Sequence, residues 1–369
     1  MSPPPDVPTL LPPRNQTTDN NRSATATAAT AAATSMSPSE RLVALSVMTT
    51  LIACTIAGNL MVMAFIAYFR HLQTRTNALA LSLALADFLV GLLIMPYSTM
   101  RSVDRCWPYG GGVFCRVHTW LDFSLTTSSV VHLCCISYDR YVAVADPLRY
   151  PQRVTRRAVA LLLLCCWLSV PVYSWPIMSG WYSVGVPDGP GAFPGCREVC
   201  PVSVNATFGL ANMLCAYAAP MLLMSLTYAK IYRLARAQAR KIDAATAGLR
   251  RLGPADGAAD DGDGGRWKAA MRREHNATKT LGVIAGVFVL CWVPYFVLSA
   301  SDSLLDDATR RAAADISNWL TYVNSTLNPV LVVALNRSFR NAFRATVACR
   351  VFAPGFRTAD LFNYDGSER

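Results

Sequence analysis

The sequence predicts an all-α fold: a seven-transmembrane helix bundle with a short amphipathic C-terminal helix. Three observations lead there. Of the 369 residues, 53% are hydrophobic and only 15% charged, against roughly a quarter charged in soluble domains, and the mean hydropathy is +0.28. The apolar residues gather into long runs, and 42–69, 280–301 and 316–336 hold no charged side chain. Each reaches the ~20 residues that span a bilayer as a helix. Lysine and arginine, thirdly, crowd into alternate connecting segments. A chain in hydrocarbon must satisfy its own backbone hydrogen bonds, which leaves helices or a closed barrel. The runs lack the alternation of ~10-residue barrel strands. A water-soluble enzyme, a secreted disulfide scaffold and a disordered acidic or basic protein are thereby excluded.

Taken in order, residues 1–40 are rich in Pro, Thr and Ala and lack the apolar core of a signal peptide, so they read as a disordered extracellular tail. Residues 41–350 form the helical domain. Its spans are expected near 42–69, 77–101, 112–144, 157–181, 204–235, 272–301 and 312–335, the second and third each carrying one interior acid, Asp87 and Asp122. Between the fifth and sixth, 242–267 is rich in Gly, Ala and Asp and reads as a flexible cytoplasmic loop. A short amphipathic helix follows the seventh span, and 351–369 are left as a cytoplasmic tail. With the N-terminus outside, the cytoplasmic segments hold 25 of the 34 Lys and Arg and the outer segments 9. Positive charge stays on the cytoplasmic side, so this orientation is chosen, which for a multi-pass chain fits the plasma membrane. The net charge of +11 is then a topology signal and an attraction to anionic inner-leaflet lipid rather than a nucleic-acid surface. Asn15, Asn21 and Asn205 open glycosylation sequons on the outer side.

Eight of the twelve cysteines fall in the spans or on the inner side; Cys106, Cys115, Cys196 and Cys200 face the oxidising exterior. Four cysteines allow three pairings. Cys115 opens the third span, and a bridge from it to Cys196 or Cys200 would pin the intervening loop as a lid. Cys349, just past the amphipathic helix, is a palmitoylation candidate.

An acid at mid-helix costs ~2.5–3.5 kcal/mol on insertion scales, so Asp87 and Asp122 are functional-site candidates by default. Position separates them. Asp139 marks the cytoplasmic end of the third span, and seventeen residues part it from Asp122, roughly 25 Å of helix. Asp122 therefore lies in the outer third, within reach of an external ligand, while Asp87 lies near mid-bilayer. One carboxylate in a low-dielectric cavity complements one ammonium. Phe123, Trp292, Tyr295, Phe296, Trp319 and Tyr322 are placed to surround it, and aromatic faces attract a desolvated cation by ~2 kcal/mol or more. Trp292, Tyr295 and Phe296, like Trp319 and Tyr322, recur at helical spacing, so each set shares a face. Packing alone explains a single aromatic; two stripes and a reachable acid point to an amine pocket.

At this point the residues resemble the rhodopsin-like (class A) G-protein-coupled receptors over roughly 40–350. In order stand Gly58-Asn59, Leu83-Ala84-Leu85-Ala86-Asp87, Trp107 before Cys115, Asp139-Arg140-Tyr141, Trp167, Pro220 with Tyr228, Cys291-Trp292-Val293-Pro294-Tyr295-Phe296, and Asn324-Ser325 ahead of Asn328-Pro329. Residues 95–103 followed by Cys106-Trp107, and 139–148, are similar to the trace amine-associated receptors. Val332 replaces the usual tyrosine after the Asn-Pro pair, Asn336 and Ser338 interrupt the aromatic run beyond it, and 1–40 lacks that branch's N-terminal cysteine. The chain thus resembles a divergent member.

The resemblance implies an amine-binding role for Asp122, with Phe123, Thr126, Asn212, Trp292, Tyr295, Phe296, Trp319 and Tyr322 around it. It implies a sodium pocket at Asp87, Ser129, Asn324, Ser325 and Asn328, where hard oxygen ligands suit that cation; a protonated Asp87 bonded to the same groups is the alternative. It implies a G-protein switch at Asp139, Arg140, Tyr141, Tyr228 and Glu274, with Arg140 and Glu274 as an ionic lock. The expected partners are a small amine, a stimulatory heterotrimeric G protein and membrane lipid. The disulfide that goes with it is Cys115–Cys200, leaving Cys106–Cys196 as a candidate second bridge. Olfactory expression is a further implication.

Outward from Pro220 the fifth span offers Ala216, Met213 and Asn212 rather than serines, which disfavours a catechol. It carries no second acid, which disfavours diamines; Glu198 or Asp302 is left for a longer polyamine. A monoamine is therefore expected, with serotonin- or histamine-like receptors the nearest alternative. A light sensor would need a Schiff-base lysine, and 312–335 contain none. A transporter would use Asp87 and Asp122 as relays, yet the halves show no internal repeat. No Ser/His/Asp, zinc or phosphate-loop constellation supports an enzyme.

Overall fold

The computed structural model describes residues 36–104, 112–184, 200, 205–251, 283, 286–295, 297–298, 307–353, 356–358 and 361. Those residues are helical or turn, with no strand among them. Helix α1 spans Pro38–Tyr68. It starts where Ser37 and Glu40 satisfy each other's backbone N–H groups as a capping box, with Pro38 in the first turn. Helix α2 spans Arg75–Asp104, capped by Thr74. Its ladder opens into a π turn at Val90–Ile94 just before Pro96, which has no N–H to give and crowds the carbonyl four residues back. Helix α3 spans Val113–Ala145. Helix α4 spans Arg156–Met178, capped by Thr155 and interrupted near Pro171.

Helix α5 begins at Ala206–Asn212 under an Asn205 cap. It passes a π turn at Met213–Ala218 ahead of Pro220 and continues through Ala219–Arg251. The stretch expected as loop from 242 is therefore corrected at its start. Its first ten residues are helix, because the alanines and arginines there are strong helix formers that a composition reading took for linker. Helix α6 is described over Gly286–Tyr295, α7 spans Asp307–Leu335, and the amphipathic α8 spans Arg337–Val347 under an Asn336 cap.

Four of these helices, α1, α2, α4 and the Thr207–Leu234 part of α5, are long and apolar enough to cross a membrane. Helix α3 is long but carries a polar inward face, for which its central place accounts: it packs against α2, α4 and α5. Its Ser124, Thr126, Thr127, Ser128, Ser129, His132 and Ser137 are buried. Leu161, Leu164 and Leu168 on α4 are instead exposed, as a lipid-facing stripe should be.

Polar ties set the register between helices. Asn59 Nδ2 donates to the carbonyls of Thr55 and Ser325 at 2.9 and 3.1 Å, joining α1 to α7. Beside it a Cβ on Gly58 would stand 2.8 Å from Pro329 Cγ, so only glycine lets the two helices come this close. Trp167 Nε1 donates to Ser82 Oγ at 2.8 Å, and the same hydroxyl lies 2.8 Å from His132 Nε2, tying α4, α2 and α3 together.

Beneath the bundle, Phe339, Ala342 and Ala345 of α8 are buried, and Phe339 and Ala342 cluster with Val62 and Phe65 of α1 and with Phe69 just past its end. Fully burying one such phenylalanine contributes about 1.5–3 kcal/mol. Val332, where the resemblance led us to note a missing tyrosine, packs against this apolar cluster. Residues of the tail expected from 351 dock on the helices above. Tyr68 Oη donates to the Val351 carbonyl at 2.8 Å, Arg357 Nε to that of Tyr68 at 3.1 Å, and Asn341 Nδ2 to that of Leu361 at 2.9 Å. Leu361 is buried in the cluster. Val351 and Phe356 pack against the same cluster, and Phe356 stands edge-on to Phe69 at 6.0 Å between ring centres.

Candidate functional site

Asp122 is half-buried on α3, and one side chain holds its carboxylate. Tyr322 of α7 donates its hydroxyl to Oδ2 at 2.7 Å. That hydroxyl lies 3.0 Å from Ser98 Oγ of α2 and accepts from Asn318 Nδ2 at 3.4 Å. Tyr322 is fully buried, so Oδ2 is fixed in place while Oδ1 accepts no hydrogen bond from the described residues. A carboxylate with one oxygen anchored and the other open is poised to accept a charge-assisted bond from a cation.

The expected aromatics divide into two groups. On α6, Trp292 and Tyr295 stand 6.0 Å apart, ring centre to ring centre, and both pack on Tyr217 of α5, at 4.5 and 5.6 Å. On α7, Trp319 stands edge-on to Tyr322 at 5.3 Å and donates Nε1 to Ser102 Oγ at 3.0 Å, so it seals the seam with α2. Phe123 faces Phe208 at 6.2 Å, at the outer end of α5. Thr126 turns its hydroxyl to the Asp122 carbonyl at 2.5 Å, steadying the helix turn under the carboxylate. Phe296 lies outside the described residues. Asn212 is buried, and its Oδ1, like Trp292 Nε1, has no hydrogen-bond partner among the described residues. A buried polar atom without a partner is costly.

Sequence reasoning passed over Tyr217, Ser98 and Asn318. Tyr217 is buried, within reach of Thr127 and Asn212, because the π turn inserts a residue and shifts the inward face. Counting turns outward from Pro220 at a constant 3.6 residues misses it.

Deeper in the bundle Asp87 is fully buried. Its Oδ1 accepts from Ser129 Oγ at 3.0 Å and Ser325 Oγ at 2.7 Å, and its Oδ2 from Asn328 Nδ2 at 2.7 Å. Helices α2, α3 and α7 thus meet on one carboxylate. Asn324 is also buried but makes no hydrogen bond to it. One carboxylate and two hydroxyl oxygens form a hard donor set of single charge, which fits a monovalent cation better than a divalent one. No cluster of three or more His, Cys, Asp or Glu occurs among the described residues.

At the inner end Asp139, 1% exposed, pairs with the guanidinium of its neighbour Arg140. It also accepts from Tyr150 Oη at 2.8 Å. Arg140 donates to Thr76 Oγ1 at 2.5 Å, and Thr76 Oγ1 lies 3.0 Å from Tyr150 Oη. This ring closes the base of α2, the end of α3 and the connecting turn at Tyr150–Arg153. Burial, with the Asp139 carboxylate beside it, pushes the Tyr150 hydroxyl up, keeping it a donor. Tyr150 and Thr76 were not legible as partners, since no local pattern announces a contact between two separate turns. Tyr228 Oη lies 3.0 Å from Ser137 Oγ, and Tyr141 packs on the core. Glu274 lies outside the described residues.

The start of α3 is bridged by the disulfide Cys115–Cys200, Cα atoms 5.6 Å apart across 85 residues. Cys106, Cys196, Asn15 and Asn21 lie outside the described residues. Asn205 caps α5 through Oδ1 and donates Nδ2 to the Trp181 carbonyl at 2.7 Å.

The chain matches the family described as 7 transmembrane receptor (rhodopsin family) over residues 58–331. It is 47% identical over 328 residues, 89% of this chain and 86% of the relative, to trace amine-associated receptor 365 of Petromyzon marinus. To the histamine H2 receptor of Rattus norvegicus it is 40% identical over 307 residues, 82% of this chain and 79% of the relative. To trace amine-associated receptor 4 of Mus musculus it is 36% identical over 312 residues, 84% and 86% of the two chains.

Proposed function

The chain belongs to the rhodopsin-like family of seven-transmembrane, G-protein-coupled receptors, and from that premise we propose that it is a plasma-membrane receptor for an extracellular small monoamine. The observation that carries this reading is Asp122, with Oδ2 held by Tyr322 and Oδ1 accepting no hydrogen bond from the described residues; Trp292, Tyr295 and Tyr217 cluster on α6 and α5. An ammonium placed on Oδ1 completes the carboxylate's bonding and faces aromatic surface. The names of the relatives, trace amine-associated and histamine H2 receptors, support an amine.

Asn212 Oδ1 favours a ligand whose ring carries an N–H or O–H donor, and Ala216 offers no hydroxyl to a catechol. Binding that draws α3, α6 and α7 together favours one of two helix arrangements, and a difference in affinity between them is what shifts the population. The freed inner end, where Arg140 now rests on Asp139, receives the heterotrimeric G protein; stimulatory coupling is the form the resemblance implies. Asp87, Ser129 and Ser325 supply oxygens that suit sodium, which would neutralise the buried carboxylate in the resting arrangement. The N-terminus outside, with glycans on the outer sequons, completes the topology, and olfactory expression remains the setting the resemblance suggests.

The test is a second-messenger readout in transfected cells against a panel of amines and matched neutral isosteres. Responses confined to amines and abolished in Asp122→Asn support the reading; potency retained in Asp122→Asn refutes it.

A further inference from the structure

The outer compartment between α2, α3 and α7 holds a cation for which amine binding alone gives no role. Arg101 lies in the last turn of α2, four residues beyond Tyr97, so the two side chains leave the helix on one face. Tyr97 packs against Phe114 and His118 of α3 at ring distances of 5.3 and 5.8 Å, which turns that face toward α3. Asp122 follows His118 by one helical turn. The adjoining face, Ser98 and Ser102, is directed at Tyr322 and Trp319 of α7. Arg101 therefore stands at the outer rim above the Asp122–Tyr322 pair, within electrostatic reach of Asp122, Tyr322 and His118. The acid nearest to it in sequence, Asp104, pairs instead with Arg41 at 2.6 Å, and Arg101 forms no ion pair among the described residues. Its side chain is only half-buried.

We propose that Arg101 is a second, anion-reading subsite that selects amines bearing a carboxylate or similar anionic group at the end away from the nitrogen and rejects a second ammonium there. The inference rests on the amine reading of Asp122 and adds the class of substituent. A guanidinium offers a planar fork that matches a carboxylate. Its charge repels another cation across a low-dielectric cavity, and such a repulsive element discriminates as effectively as an attractive one. One to two helical turns separate the two charged rims, so the matching ligand carries its charges on the order of 5–10 Å apart.

The probes are three ligands of equal chain length: an alkyl monoamine, the α,ω-diamine and the ω-amino acid. They are assayed on the full-length receptor in cells, with surface expression measured in parallel. Wild type should rank the amino acid first and the diamine last. Arg101→Gln should lower amino-acid potency by about tenfold and Arg101→Glu raise diamine potency by about tenfold, both with monoamine potency within about threefold of wild type. Arg101→Lys should keep the wild-type rank. Parallel changes for all three ligands would mark a structural role and overturn the proposal. Should the variants fail to reach the surface, the wild-type rank decides: a diamine equal to or stronger than the amino acid overturns it. A monoamine response that survives Asp122→Asn instead overturns the amine reading beneath it, a separate outcome.

Discussion

Asp87 and Asp122 lie in the interior of their spans, and their surroundings have little in common. Asp122 has one oxygen held by a single tyrosine and the other without a donor among the described residues. Asp87 is fully buried, with three donors from α3 and α7 converging on both its oxygens. The side chain is the same; the number of partners decides what it can do. An under-coordinated carboxylate near the surface is a docking point, whereas a saturated one at mid-bilayer couples the helices that carry its partners.

Four changes sharpen that contrast, taken from the largest effect. Asp122→Asn removes the charge that pairs with the ligand, and a lost buried charge pair costs about 2–5 kcal/mol. Amine potency in a concentration–response assay should fall by about 100-fold or more, with surface expression intact. Asp87→Asn should act on coupling instead of contact. Raising sodium should weaken agonist binding by about tenfold in the wild type and leave the variant flat, a coupling of ordinary allosteric size; a variant as sodium-sensitive as wild type would remove the cation from that pocket. Tyr322→Phe deletes one hydrogen bond to the carboxylate and should cost about fivefold in potency, the worth of roughly 1 kcal/mol. Ser129→Ala leaves Asp87 two of its donors and should shift the sodium response by about threefold, with amine potency measured without sodium unchanged.

Much of this was legible in the chain. The charge-free runs 42–69, 280–301 and 316–336 fall on α1, α6 and α7. The side chains that finish each site were less accessible. Trp319 and Tyr322 share a stripe, yet one turns to Ser102 and the other to Asp122, a division that periodicity does not resolve. The π turns at Val90–Ile94 and Met213–Ala218 re-aim Ser98 and Tyr217, and a fixed helical period carries no mark of them beyond the prolines that follow. Thr126, read as a ligand contact, has its hydroxyl on the Asp122 carbonyl. The Asp139–Tyr150–Thr76 ring joins segments far apart in sequence, where only three-dimensional packing brings donors and acceptors together. Helix α5 runs past 242 because alanine and arginine favour helix wherever nothing interrupts them.

The pairing of a cationic nitrogen with Asp122 is tested most directly by a density map of the receptor with an amine agonist bound. The nitrogen should lie within hydrogen-bonding distance of Oδ1, about 2.7–3.2 Å, while Tyr322 keeps its bond to Oδ2. A map showing the nitrogen bound elsewhere and the Asp122 carboxylate turned out of the cavity would contradict the account.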